Sequence, residues 1–283
     1  MKEKLKTYKK HPLSFAFFLL VCLAVIITIS VFIILVGYII IKGVPYLKPS
    51  LFAFNYTTEN VSVTPAIITT LYMVGISLAV AVPFGVFCAI YLVEYAKKGN
   101  KLVKIIRVTA ETLSGIPSIV YGLFGMLFFV TALNWGFSLI AGAFTLAIMI
   151  LPLIIRSTEE ALKSVDDSFR EGSFGLGAGK LRTVFRIVIP SANSGILAGI
   201  ILAIGRVIGE TAALIYAAGT VAKIPESVFE SGRTLAIHMY SLSSEGLHTN
   251  EANATAVVLL ITVLAINTSA SVIAKRLQKG RYN

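Results

Sequence analysis

Residues 13–41 read LSFAFFLLVCLAVIITISVFIILVGYIII, a run from Leu13 to Ile41 without one charged side chain. A helix rises about 1.5 Å per residue and a bilayer's hydrocarbon core is about 30 Å thick, so roughly 20 apolar residues cross it. This run is long enough. It is also too long for the apolar centre of a signal peptide and has no small-residue cleavage site, so it is expected to remain as a first spanning helix. Five further segments meet the same length: Ala66 to Val93, Leu113 to Leu133, Phe137 to Ile155, Ile196 to Val221 and Ala254 to Ala274. The expected fold is an all-α polytopic membrane protein with six transmembrane helices over residues 13–274, flanked by short termini at 1–12 and 275–283.

The composition of all 283 residues agrees, being 56% apolar with a mean hydropathy of +0.84. Only 14% of residues are charged, against about a quarter in soluble domains, and they sit in blocks between the apolar runs. Five basic residues precede the first span, five lie from Lys97 to Arg107, six from Arg156 to Arg186 and four from Lys275 to Arg281. The opposite side holds only Lys42, Lys48, Lys223 and Arg233, which leaves Arg206 inside a span. By the positive-inside rule both termini and both basic loops are expected in the cytoplasm of a multi-pass inner-membrane protein. That asymmetry accounts for the net charge of +11 without nucleic acid, for which the chain carries no binding motif. Cys22 and Cys88 lie in apolar runs without metal spacing, and His11, His238 and His248 are scattered, so no metal site is expected.

The inner segment from about 157 to 194 mixes charges with regularly spaced apolar residues, so it reads as folded. Ser164 followed by Asp167 is a capping signature for a helix through Phe169, Arg170 and Phe174 to the Gly175-Leu176-Gly177 turn. A second helix is expected from Lys180 to Ile189, ending at Pro190 before the fifth span. Glu171-Gly172-Ser173, then Gly177, then Ile187, Ile189 and Pro190 fall at the intervals of E-A-A, three residues, G, nine residues, I-x-L-P. In this the chain resembles the permeases of bacterial ABC importers, whose EAA loop docks on the ATPase subunit. The two alanines of that pattern are Gly172 and Ser173 here, and its leucine is Ile189. The resemblance assigns Glu171, Gly172 and Gly177 to the docking motif, with Phe169, Arg170 and Phe174 beside them.

Arg206 falls near the middle of the fifth expected span, in Gly205-Arg206-Val207-Ile208-Gly209-Glu210-Thr211. An arginine at that depth costs about 2.5–3.5 kcal/mol on insertion scales, so it should face protein or a polar path. Glu210, four residues on, is placed to neutralise it. Gly199, Ala203, Gly209 and Ala213 share that face, leaving room for a neighbouring helix or a ligand. A guanidinium fork fits a tetrahedral oxyanion, and a structural salt bridge is the alternative.

The G-R-x-I-G-E-T motif, Ser114 to Leu123 (SGIPSIVYGL) and Leu151 to Leu162 (LPLIIRSTEEAL) resemble the phosphate permease subunits, the A-type more than its longer C-type partner. The resemblance implies that Arg206, Glu210 and Thr211 belong to a phosphate translocation path, phosphate competing with Glu210 for Arg206. It implies a C-type permease partner, two ATP-binding cassette subunits, an extracytoplasmic phosphate-binding protein and surrounding lipid. No cofactor is expected in the chain, since no Walker-type loop occurs and ATP would be hydrolysed by its partners. Alternatives are a sulfate or molybdate permease, a membrane enzyme acting on a lipid phosphate, and an ion-coupled carrier with Glu210 as its coupling site.

Overall fold

The computed structural model describes residues 12–97 and 99–279, and every regular element among them is helical. The readings of residues 1–11, with His11, and of 280–283 fall outside the described residues. Eleven α-helices follow in order: α1 Pro12–Gly43, α2 Thr64–Ile90, α3 Lys101–Ser114, α4 Ser118–Gly125, α5 Leu139–Lys163, α6 Asp167–Gly175, α7 Lys180–Thr183, α8 Ile189–Ile208, α9 Ala212–Ala217, α10 Leu235–Glu245 and α11 Thr249–Lys279. Wide π-helical turns prolong α2 over Tyr91–Tyr95 and α4 over Met126–Ala132, and join α7 to α8 over Val184–Val188.

The centre of the bundle is α5. Its Leu146, Met149, Ile150 and Ile154 are fully buried against Met73, Val74 and Ala81 of α2 and Ala203, Val207 and Ile208 of α8. Gly199 lets α8 approach so closely that a Cβ there would collide with Ser157 of α5. At Gly199 the small-residue face of the fifth span therefore serves helix contact, whereas Gly209 at its far end is exposed. By contrast α1 stands apart with its apolar side chains exposed, touching the bundle where Gly43 meets Asn253 and Val257 of α11.

Five helices are long and apolar enough to cross a membrane, and a bent pair, α3 with α4 and its π-helical extension, passes the same test only when its two parts are taken together. That pair corrects the third expected span, Leu113 to Leu133. Its apolar part begins only at Ser118 and runs to Ala132, after a 104° bend from the amphipathic α3. Pro117 is thus the residue before a helix rather than one within a span. A residue preceding proline is driven out of the helical region, so Ile116-Pro117 ends one helix and sets the direction of the next. The fifth span is corrected as well, running unbroken from Lys180 through Pro190 to Ile208 and breaking before α9. Pro190 interrupts nothing because the π-helical turn before it widens the backbone where proline lacks a donor and crowds the preceding turn. The cap of α6 is Asp166, whose carboxylate accepts from Ser168 N at 2.8 Å; the Ser168 side chain, then that amide, hold it below the usual carboxylate range. Ser164 instead ends α5, its hydroxyl donating to Ala161 O.

Between the spans expected to end outside, residues 44–63 form two short 3₁₀ turns and are bolted to α10 by His238. Val61, β-branched and at φ +38°, occupies an unfavourable left-handed conformation. His238 Nε2 donates to its carbonyl at 3.1 Å, while Arg233 donates toward Nδ1 at 3.4 Å. Burial, then the charge of Arg233, push the imidazole down to about 4 from 6.5, so it is neutral when folded. Above pH 6.5 both folded and unfolded states bind no proton there and the bolt is at full strength. Below it the unfolded state gains the proton first, and stability falls until about pH 4. The total loss is about 3 kcal/mol at roughly 1.4 kcal/mol per pH unit. Melting of the purified transporter should fall between pH 7 and 5, and the fall should shrink in His238→Gln; equal pH slopes would exclude this role.

Candidate functional site

The break after α8 gathers the polar residues of the fifth crossing. Gly209 and Glu210 close the last turn through bonds to Gly205 O and Val207 O, and Thr211 opens α9. Gly122 of α4 lies directly behind α9, where a Cβ would come within 2.7 Å of Ala213 Cα, so the two elements fix one another. Arg206 occupies the last turn of α8, half-buried. Tyr121 donates to Leu113 O at 2.8 Å, across the bend between α3 and α4.

The expected pairing of Arg206 with Glu210 is not formed. Glu210 Oε1 accepts from Ala213 N at 3.0 Å and caps α9, because the helix break turns the acid along the chain instead of back over the preceding turn. Among the described residues Arg206 makes no ion pair and no side-chain hydrogen bond. Thr211, next along, lines a cavity of about 580 Å³ with Ile119, Tyr216, Tyr240, Ser243 and Asn253. The cavity wall carries hydroxyls and a carboxamide and no charged side chain.

A second cavity of about 210 Å³, between α3 and α5, was not foreseen and holds most of the charge. Arg107 and Lys163 reach the buried Glu159 Oε1 at 2.6 and 2.7 Å, off the axis of a good hydrogen bond, so the attraction is Coulombic rather than directional. Arg156 pairs with Glu160 at 3.1 Å on the exposed rim. The Glu159/Lys163 and Arg156/Glu160 spacings of four were readable in the sequence; the arrival of Arg107 from α3 was not.

The loop residues divide into two sets. Phe169, Glu171, Gly172, Phe174 and Gly177 are exposed, and Leu176, 92% exposed, extends the apolar surface that they form. Gly177 takes φ +80°, a left-handed turn that suits glycine and reverses the chain after α6. Arg170 faces inward, which corrects its grouping with the docking contacts. It is 15% exposed and pairs with Glu94, 8% exposed, with NH2 at 2.8 Å and Nε at 3.2 Å from Oε1. Removing one member of a buried pair typically costs about 3–5 kcal/mol, because the other charge is stranded. Glu94 went unnoticed in the sequence, although an acid ending an apolar run beside a basic block was a usable signal.

Residues 81–281 match the family described as "Binding-protein-dependent transport system inner membrane component". The chain is 36% identical over 272 residues to "Probable ABC transporter permease protein YqgI" of Bacillus subtilis (strain 168), covering 88% of this chain and 90% of that one. It is 36% identical over 211 residues to "Phosphate transport system permease protein PstA 1" of Mycobacterium tuberculosis (strain CDC 1551 / Oshkosh), covering 74% of this chain and 69% of that one. The fold matches a chain of a bacterial alginate ABC transporter solved with an alginate-bound periplasmic protein, at TM-score 0.68 and 16% identity over 97% of this chain and 98% of the other. The architecture is that of an ABC importer permease.

Proposed function

Since the chain belongs to the family of binding-protein-dependent transport system inner membrane components, we propose that it is a membrane-spanning subunit of an ATP-driven importer of inorganic phosphate. The observation that carries the reading is Arg206. A half-buried guanidinium with no protein partner, in the last turn before a helix break, offers a fork of donors to a tetrahedral oxyanion at any working pH, and Thr211 at the same break lines a polar-walled cavity that does not itself include Arg206. In place of the competition expected between phosphate and Glu210, Glu210 shapes the break by capping α9, and Arg206 receives the anion without first losing a counter-ion. The cavity of Arg107, Arg156 and Lys163 then lies on the inner half of the path. Its cations are already paired with acids, which favours brief passage over retention.

The subunit does no chemistry itself. Its exposed loop face, Phe169, Glu171, Gly172, Phe174, Leu176 and Gly177, receives an ATP-binding subunit beneath the inner membrane. A second permease completes the channel, and a binding protein delivers phosphate outside. Radiolabelled phosphate uptake tests this in cells stripped of other phosphate importers, with the partner subunits co-expressed. Uptake should require the chain, resist excess sulfate and molybdate, and stop when the ATP-binding subunit is inactivated. Competition by sulfate would transfer the reading to that oxyanion, and uptake without ATP hydrolysis would make the chain an ion-coupled carrier.

A further inference from the structure

Resting on the importer reading above, we propose that the buried Arg170–Glu94 pair is the joint that carries movement of the docking helix α6 into α2 and α5. Both are then positioning residues for transport and neither touches the ATP-binding subunit. All five N–H donors of Arg170 are engaged. Nε and NH2 reach Glu94 Oε1, NH2 also reaches Leu162 O at 2.9 Å, and NH1 reaches Val165 O at 2.8 Å and Asp167 Oδ1 at 3.0 Å. One planar group thus ties α6 to the end of the α2 helix, to Leu162 O of α5 and to Val165 O in the turn after it.

A guanidinium is a rigid fork, so its bonds to Glu94 and to Leu162 O survive together only if α6, the end of α2 and α5 keep their relative positions. Sliding α6 alone would strand a buried carboxylate, a penalty larger than the coupling free energies that usually link distant sites. Displacement of α6 is therefore passed on to α2 and α5 rather than absorbed. Two further contacts stiffen the block. The hydroxyls of Ser173 and Thr183 meet at 2.8 Å across the Gly177 turn, and the Lys180 ammonium sits 5.2 Å from the Tyr95 ring centroid. Because α2 and α8 both pack on α5, movement entering there reaches the Arg206 break.

The test uses the complete transporter in vesicles, measuring ATP hydrolysis and phosphate import together for the wild type, Glu94→Gln and the double variant Glu94→Met/Arg170→Met. The double variant fills the site without stranding a charge, so it assembles if the single variant does not. Phosphate imported per ATP should fall about tenfold in both, with hydrolysis and subunit stoichiometry little changed. Import and hydrolysis falling in proportion, or an unchanged ratio, would overturn the joint. Spin labels at Ser168 and Phe87, with Cys22 and Cys88 replaced by Ser, read it without phosphate. Their separation should be the same with and without trapped ATP in the wild type and should shift in the double variant; a shift in the wild type would also overturn the joint. Wild-type vesicles that hydrolyse ATP and import no phosphate would count against the phosphate reading alone.

Discussion

Arg206→Gln should lower phosphate import by about a hundredfold or more while the transporter assembles at normal abundance. Each hydrogen bond to a charged group contributes about 1.5–3 kcal/mol, so a lost two-pronged contact removes about 3 kcal/mol or more. At roughly 1.4 kcal/mol per tenfold that gives the stated factor. Assembly should survive because Arg206 pairs with no acid, so its removal strands no buried charge. Arg206→Lys keeps the charge and loses the fork, and import should fall between the two. Uptake is compared at matched membrane abundance with all partner subunits present. Normal transport by Arg206→Gln would remove Arg206 from the path and leave the break a structural feature.

The second large effect is expected at the docking face. Phe174→Asp/Leu176→Asp should release the ATP-binding subunits from the membrane, abolishing import and membrane-bound ATP hydrolysis together. Apolar anchors at an interface centre each contribute about 2 kcal/mol or more, and losing two weakens association on the order of a thousandfold. Both side chains are exposed, so the chain itself should fold and insert normally. Co-purification of the ATP-binding subunit with the tagged chain measures the effect directly. Retention at wild-type level would place the docking contact elsewhere. The pattern differs from that expected for Glu94, where hydrolysis persists and only its yield in transported phosphate falls.

The same amino acid plays opposite parts at Arg170 and Arg206. In Arg170 every donor is occupied, and the side chain ties helices together. In Arg206 none is occupied by protein, and the side chain is available to an anion. The sequence marked Arg206 as unusual, a charge within a span, and grouped Arg170 with its neighbours Phe169 and Glu171, which do face outward. One residue along a short helix turns a side chain by about 100°, enough to move it from a docking face to a buried joint.

The sequence by itself determined the membrane-spanning character, the placement of most of the apolar helices and the turn at Gly177. These follow from local hydrophobicity, local spacing and one glycine's backbone freedom, all read within a few residues. The tertiary structure alone decided where the third and fifth crossings bend, that Glu210 caps α9 instead of neutralising Arg206, and that Arg107 reaches Glu159. It also brought Glu94 to Arg170, 76 residues along the chain. A charged side chain's partner depends on which helices pack together, and that is set by the summed burial of many apolar residues, which no short stretch of sequence contains.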